Sequence, residues 1–507
     1  MSIAIIGYTG FIGSYLRTKL EVRENNCDLY NSKNIQTIIG KEYDTVYCCG
    51  LPATKWMINK DPVSDLNNIL NLQGYLKQAI IKKFILISTI DVYDKAKLNQ
   101  NENSFMITNE TYGKHRFMME GWVNENYSDI HILRLPGIFG YGLKKNVVYD
   151  ILNNKYDMIN PYNIFQWYYL EDLMTDIDMV VKNNIKLINL FSEPIQVIEF
   201  INAAKVIYDI NEYFEFKSQL SVKYDYNTIL NADGYYCSKN YILTRLVEFM
   251  ENYKKLNNLV VSNLCWSNDY EDYALFVLKR YGITNLELAI TRYYSWDELD
   301  NINSMKYLDT VVNLFQKFKG FNIYSLQALF FGKSFNVFVD KIEFIKHFKK
   351  VIDIAIQIEA KALVFGSPFN RKLPDTFENP DEYFIDVLKE LGNYCKNKTS
   401  ICLEPNATEY GCNYITTINS ALDIIRKVNN NNVLLNLDTG NAMMMKDNVN
   451  DIDNSLIGHI QISAPYLKSI SEFSIPKLPK YTCKKSLEMR EVPKKKFEEN
   501  ILAFINL

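Results

Sequence analysis

Short apolar runs take turns with longer amphipathic runs along the first half of the chain. Ile3–Ile6 is apolar throughout, the pattern of a parallel strand buried on both faces. Similar runs are Cys27–Tyr30, Asp44–Cys49, Lys82–Ser88 and Ile130–Leu135, while helical spacing marks Phe11–Val22, Val63–Ala79 and Thr111–Asn126. The alternation extends to about residue 250 and predicts a doubly wound parallel sheet. A helical run, Leu243–Tyr253, then leads into the polar stretch Asn252–Asn258, which reads as a linker.

From Leu259 the alternation restarts. Strand candidates are Leu259–Leu264, Leu286–Ile290, Phe321–Leu326, Lys361–Phe365, Ser400–Leu403, Val433–Leu437, Gly458–Ile462 and Ser486–Met489. Helical stretches such as Asp340–Ile358 and Asp381–Cys395 separate most of them, and proline-rich Tyr466–Tyr481 reads as a loop. Eight strand–helix repeats in about 250 residues predict a closed (β/α)₈ barrel. The expected fold class is α/β, with domains at 1–250 and 257–507.

Composition narrows the function. A chain of 507 residues with 48% apolar and 14% aromatic residues suits two or three well-packed domains. The net charge of −3 gives no general attraction to nucleic acid or to a membrane surface. No apolar run is long enough to span a bilayer, and the first strand starts at Ile3, so neither a membrane span nor a targeting leader is expected. Nine cysteines without a Cys-x-x-Cys pair point to a reducing cytoplasm. Four histidines are too few for a histidine-rich metal site. The expected partner is a small molecule, and a homo-oligomer is left open.

Directly after the first strand come Gly7-Tyr8-Thr9-Gly10-Phe11-Ile12-Gly13 and a helix. Gly7 allows a tight turn, Gly10 lets backbone approach a pyrophosphate, and Gly13 lets helix and strand pack closely. The N–H groups of the opening turn, around Phe11 and Ile12, would meet the phosphates. The second strand ends in Asp28-Leu29-Tyr30-Asn31-Ser32-Lys33, without an acid for the adenosine ribose. That leans towards NADP over NAD, with Lys33 either a contact for its phosphate or an ordinary solvated lysine. Cys49-Gly50-Leu51-Pro52-Ala53-Thr54-Lys55 ends the next long strand, so Gly50 would pass over the cofactor and Lys55 is a phosphate contact or loop surface.

Acid–base chemistry on a sugar alcohol can use a tyrosine whose pKa a nearby cation lowers. Thr111-Tyr112-Gly113-Lys114-His115-Arg116 puts Tyr112 and Arg116 on one helix face and Lys114 elsewhere. Ser88-Thr89 ends a strand, where ligands of such sheets bind.

With Leu133-Arg134-Leu135-Pro136-Gly137-Ile138-Phe139-Gly140, these motifs resemble the extended short-chain dehydrogenase/reductase family of nucleotide-sugar epimerases, dehydratases and reductases. The resemblance covers residues 1–250 and implies a Rossmann-type domain. It makes Tyr112 the acid–base, Thr89 the substrate-orienting hydroxyl and Arg116 the replacement for a lysine on the nicotinamide ribose. Ile90-Asp91 holds half of the acidic pair a dehydratase would use, which favours a reductase or epimerase.

Residues 257–507 resemble the xylose-isomerase-like TIM barrel family of sugar and sugar-phosphate isomerases. The motifs are Cys402-Leu403-Glu404-Pro405-Asn406, Asn436-Leu437-Asp438-Thr439-Gly440, His459-Ile460-Gln461-Ile462 and Ser486-Leu487-Glu488-Met489. The resemblance implies a divalent cation, Mg²⁺ or Mn²⁺, on Glu404, Asp438, Gln461 and Glu488. Gln461 stands where the family has histidine, so the binding is expected to be weak or absent. Asp438-Thr439-Gly440-Asn441 likewise departs from the family's Asp-x-x-His. The whole implies an NAD(P)-dependent sugar reductase or epimerase joined to an isomerase-like barrel. The rival is a nucleotide- or carbohydrate-binding protein of reduced activity, or one active domain with the barrel as scaffold.

Overall fold

The structure is a computed structural model, and it describes residues 1–23, 27–104, 108–156, 159–205, 207–208, 221–300 and 317–507. The chain divides into two compact units, Met1–Lys254 and Lys255–Leu507.

The first unit is a six-stranded parallel sheet. Its strands include β1 (Ile3–Ile6), β2 (Cys27–Tyr30), β3 (Glu42–Cys48), β4 (Ile80–Thr89) and β5 (Asp129–Leu135), followed by Leu187–Asn189. The order across the sheet is β2-β1-β3-β4-β5 and then Leu187–Asn189. Alternation along β1 explains why the strand is wholly apolar. Ile3 and Ile5 join Tyr15, Leu16 and Leu20 of helix α1 (Phe11–Arg23) on one face. Ala4 and Ile6 join Ile69, Leu72 and Leu76 of helix Pro62–Leu76 and Met119 and Val123 of helix Thr111–Asn126 on the other. Both faces are covered, so every position needs an apolar side chain. The chain order reverses between β1 and β3, and the crevice beyond their carboxyl ends is where such sheets bind ligands.

The second unit is a closed barrel of eight parallel strands: Leu259–Ser262, Asn285–Ala289, Asn322–Gln327, Ala362–Phe365, Ser400–Leu403, Val433–Asp438, Ile457–Ile462 and Lys485–Leu487. All eight sequence runs are strands, and pairing of the first with the last closes the ring. The stretch read as linker holds the boundary between the two units and is helical. Helix Lys239–Lys255 runs into it and a 3₁₀ turn, Leu256–Asn258, completes it. Leu256 is buried there, so this polar-looking stretch carries an apolar anchor. Among the described residues no helix is long and apolar enough to cross a membrane.

Candidate functional site

The glycine pattern forms a turn between β1 and α1. Gly7 has φ +87°, a left-handed conformation that glycine takes without the Cβ penalty. A Cβ on Gly7 would lie 2.5 Å from the Cα of Gly50. One on Gly13 would lie 2.1 Å from the Gly7 carbonyl oxygen, so helix and strand approach as closely as glycine permits. Gly7 N donates to Tyr30 O (2.7 Å), which ties the turn to the end of β2. Gly7, Gly10, Phe11, Ile12 and Gly50 line a cavity of about 1210 Å³, larger than the roughly 300–1,000 Å³ usual for one small ligand.

Asn31, Ser32 and Gln36 line the same cavity beyond β2, while Lys33 does not. Lys33 is exposed, with its backbone N–H on the Asn31 side-chain carbonyl (2.8 Å). Asp28 faces away, hydrogen-bonded by Lys41 (2.7 Å) and Tyr43 (2.5 Å).

At the other wall stand Thr89, Asp91, Tyr112, Arg116, Lys55 and Tyr224. Thr89 is the last residue of β4, and its hydroxyl donates to Asp91 Oδ2 (3.2 Å). Tyr112 enters from helix Thr111–Asn126. Burial raises the pKa of Tyr112 and the Asp91 charge adds to this, whereas Arg116 and a hydrogen bond with Thr89 act against it. The Arg116 guanidinium lies 4.6 Å from the Tyr112 ring centroid. Its fork grips Asp65 through Nη1 (3.0 Å) and Nη2 (3.2 Å), and Nη2 also donates to Pro52 O. Lys114, two residues earlier, is exposed. Lys55 pairs with Asp91, and Tyr224 donates to the other Asp91 oxygen (2.9 Å).

Asp65, Asp91 and Tyr224 were not legible as one group. A carboxylate inside the amphipathic run Val63–Ala79 was the only trace of Asp65, and Tyr224 lies far along the chain.

In the barrel, the side chains at the strand ends come together, joined by one acid that the strand ends do not reveal. Glu287, inside strand Asn285–Ala289, is fully buried and pairs with His459 (2.8 Å). It also accepts from Ser325 (2.8 Å), Gln327 (3.1 Å) and Gln461 (3.0 Å). Burial alone would raise its pKa, but the charge and hydrogen bond of His459, with bonds from Gln461 and Ser325, bring it below the ordinary value. The signal was a lone acid between two leucines, Leu286-Glu287-Leu288.

Glu404 Oε1 accepts from Asn406 (2.9 Å) and Asn441 (2.8 Å). Asp438 accepts from the Asn441 backbone N–H (2.6 Å) and the Ser463 hydroxyl (2.7 Å). Burial pushes Glu404 up to about 8, with repulsion from Asp438 adding to it. Burial likewise raises Asp438, and it raises Glu488 well above the carboxylate range, with Asp438, Glu404 and Glu287 repelling the Glu488 charge. Gln461 is locked at both ends, its amide donating to Glu287 and its carbonyl accepting from Asn436 (2.6 Å). Among the described residues, no group of three or more His, Cys, Asp or Glu side chains is arranged to hold a metal ion.

Fold and site together describe a glycine-turn α/β domain, built like those that cradle dinucleotides, followed in the same chain by a polar-cored (β/α)₈ barrel. Comparison with known proteins narrows this class. Residues 3–186 match the NAD dependent epimerase/dehydratase family, and residues 276–470 match the xylose isomerase-like TIM barrel. No curated protein matches the chain. Similar solved structures include a dTDP-4-dehydrorhamnose reductase from Yersinia enterocolitica, 12% identical over 49% of this chain and 98% of that one (TM-score 0.38). A UDP-glucose 4-epimerase from Thermotoga maritima with UDP-glucose is 16% identical over 50% and 96% (TM-score 0.36). A UDP-N-acetylglucosamine 4-epimerase from Methanobrevibacter ruminantium in complex with UDP-N-acetylmuramic acid is 16% identical over 49% and 96% (TM-score 0.38).

Proposed function

We propose that the first unit is an NAD(P)-dependent reductase or epimerase acting on a nucleotide-sugar. The observation that carries this reading is one cavity with two differently equipped walls. Gly7, Gly10, Phe11 and Ile12, which follow β1, line it together with Thr89 at the end of β4 and with Tyr112 and Arg116. The first wall presents glycine backbone to the cavity at Gly7, Gly10 and Gly50, the kind of surface a pyrophosphate can approach closely. When bound, the nicotinamide supplies a hydride acceptor or donor.

Every other role falls to the chain. Thr89 orients the sugar hydroxyl by hydrogen bonding. Tyr112 gives a proton to a carbonyl oxygen, or takes one from the corresponding alcohol, through its hydroxyl. Arg116, fixed by Asp65, keeps positive charge beside Tyr112 and so favours the phenolate when it forms. Asn31 and Ser32 offer neutral donors at the adenosine end. This favours NADP over NAD only through the lack of a carboxylate there. The cavity is large enough to seat a substrate beside the cofactor.

Oxidation of NADPH and NADH, followed with a panel of nucleotide-linked keto-sugars, tests the reading. Turnover with any of them supports it. Tight cofactor binding without turnover would favour the second reading, a nucleotide-binding protein of reduced activity. That alternative draws on Arg116, whose fork is tied to Asp65 and the Pro52 carbonyl. The barrel then acts either on a sugar in its own right or as a scaffold.

A further inference from the structure

The barrel family implies a divalent cation, yet the donor set in this chain is arranged for something else. A metal ligand must turn a lone pair to the ion. Here Glu404 Oε1 meets two side-chain amides, while Oε2 has no donor among the described residues. Both Asp438 oxygens meet donors, a backbone N–H and a hydroxyl, and the Gln461 carbonyl meets Asn436. Asn441 is central to this. Its side-chain amide donates to Glu404 and its backbone N–H to Asp438, while its own carbonyl accepts from Ala407 N (2.9 Å). One residue therefore spans two of the carboxylates that the family resemblance gives as ligands.

A positive charge is also already built in. Arg371 is fully buried, and among the described residues no carboxylate lies within ion-pair distance of it. Its guanidinium donates to the carbonyls of Gly366 (2.6 Å), Glu404 (2.8 Å), Tyr414 and Ile415 (3.3 Å), and to the Asn406 side chain (2.8 Å). Five carbonyl oxygens satisfy the buried guanidinium, and Asn406 connects it to Oε1 of the Glu404 carboxyl.

Glu488 is the exception. It is 8% exposed, and no described group hydrogen-bonds its carboxyl, whose oxygens keep some access to solvent. Such a group can exchange water for a ligand without breaking a bond inside the protein.

We propose that this barrel works without a divalent cation. Asn441 spans Glu404 and Asp438, Arg371 supplies the positive charge, and Glu488 is the carboxyl open to the hydroxyl groups of a ligand. The proposal concerns the second unit alone and does not depend on the reading of the first.

Manganese(II) titration of the full-length, EDTA-treated protein tests it, with free Mn²⁺ read by electron paramagnetic resonance and binding heat by calorimetry. The wild type should show no stoichiometric binding tighter than about 1 mM. Asn441→Asp, isosteric but with an added carboxylate, should gain affinity by about tenfold or more, as should Asn441→His. Stoichiometric wild-type binding that Glu404→Gln abolishes would overturn the proposal. Folded variants that stay as silent as the wild type would overturn the place given to Asn441. If the variants do not fold, the wild-type titration still decides whether the barrel holds a cation.

Discussion

In the first unit, Thr89, Tyr112, Asn31 and Ser32 face a cavity of about 1210 Å³. In the barrel, Glu287, Glu404, Asp438 and Gln461 are buried and take their hydrogen bonds from other buried groups, His459, Asn406, Asn441, Ser463 and Asn436 among them. The difference is one of unused bonding capacity. A polar group beside a cavity can exchange water for a ligand, whereas a group held by buried partners must first break a bond in low dielectric. Substitutions in the first unit should therefore change binding and rate, and those in the barrel should change stability first.

The largest expected effect tests the first half of that contrast. Tyr112→Phe should lower turnover by about 10²–10⁴-fold, with cofactor affinity and melting temperature nearly unchanged. A loss below tenfold would move the acid–base role to another residue. The pH profile sharpens the same point. Burial raises the Tyr112 pKa above its ordinary value, so the phenol keeps its proton through the neutral range. Reduction, which needs the proton, should be flat with pH there. Oxidation, which needs the phenolate, should rise steadily with pH and show no plateau below the ordinary tyrosine pKa.

Glu287→Gln probes the other half. It leaves His459 buried without its carboxylate, and breaking a buried pair costs about 3–5 kcal/mol. Chemical denaturation should show the barrel transition shifted by that order, while cofactor binding to the first unit holds. A loss under about 1 kcal/mol would mean that the polar barrel core is not the stability determinant its bonds suggest.

Gly10→Val comes next. Its Cβ would lie 3.3 Å from the Gly7 carbonyl oxygen, so the turn must give by a few tenths of an ångström to hold it. If Gly10 faces the cofactor as proposed, the valine side chain crowds it, and cofactor affinity should fall about tenfold or more, roughly 1.4 kcal/mol, by fluorescence titration. Unchanged affinity in a folded protein would remove the glycine turn from the site.

Arg116→Lys should give the smallest effect. An ammonium retains the charge but cannot hold Asp65 bidentately and reach Pro52 as well. A loss of about 1 kcal/mol in stability is expected, read by thermal melting. No change would show that the fork geometry matters little and that charge alone is needed.

Much of this organisation was legible from residue order alone. Apolar runs such as Ile3–Ile6 and Ser400–Leu403 mark strands because burial on both faces, or in a barrel wall, excludes polar side chains from most positions. Gly7 and Gly13 declare their turn because no other residue fits their backbone contacts. Tyr112 and Arg116 share a face through helical spacing alone, and Glu404, Asp438 and Glu488 stand at strand ends where barrels gather their chemistry.

What the sequence did not contain were the partners of those residues, which lie far away along the chain. Asp65 holds Arg116 across 51 positions, Tyr224 reaches Asp91 across 133, and Gln461 meets Glu287 across 174. Local periodicity carries no information on such pairings, because it reports which face a side chain takes and not what lies opposite. The helical Asn252–Asn258 stretch shows the same limit, since the burial of Leu256 decided its conformation. Residue identity determined which chemistry was present, and the closing of the sheet and the barrel decided which groups remain open to a ligand. Hydrogen-bonding capacity is settled only when each donor meets its acceptor in the folded chain.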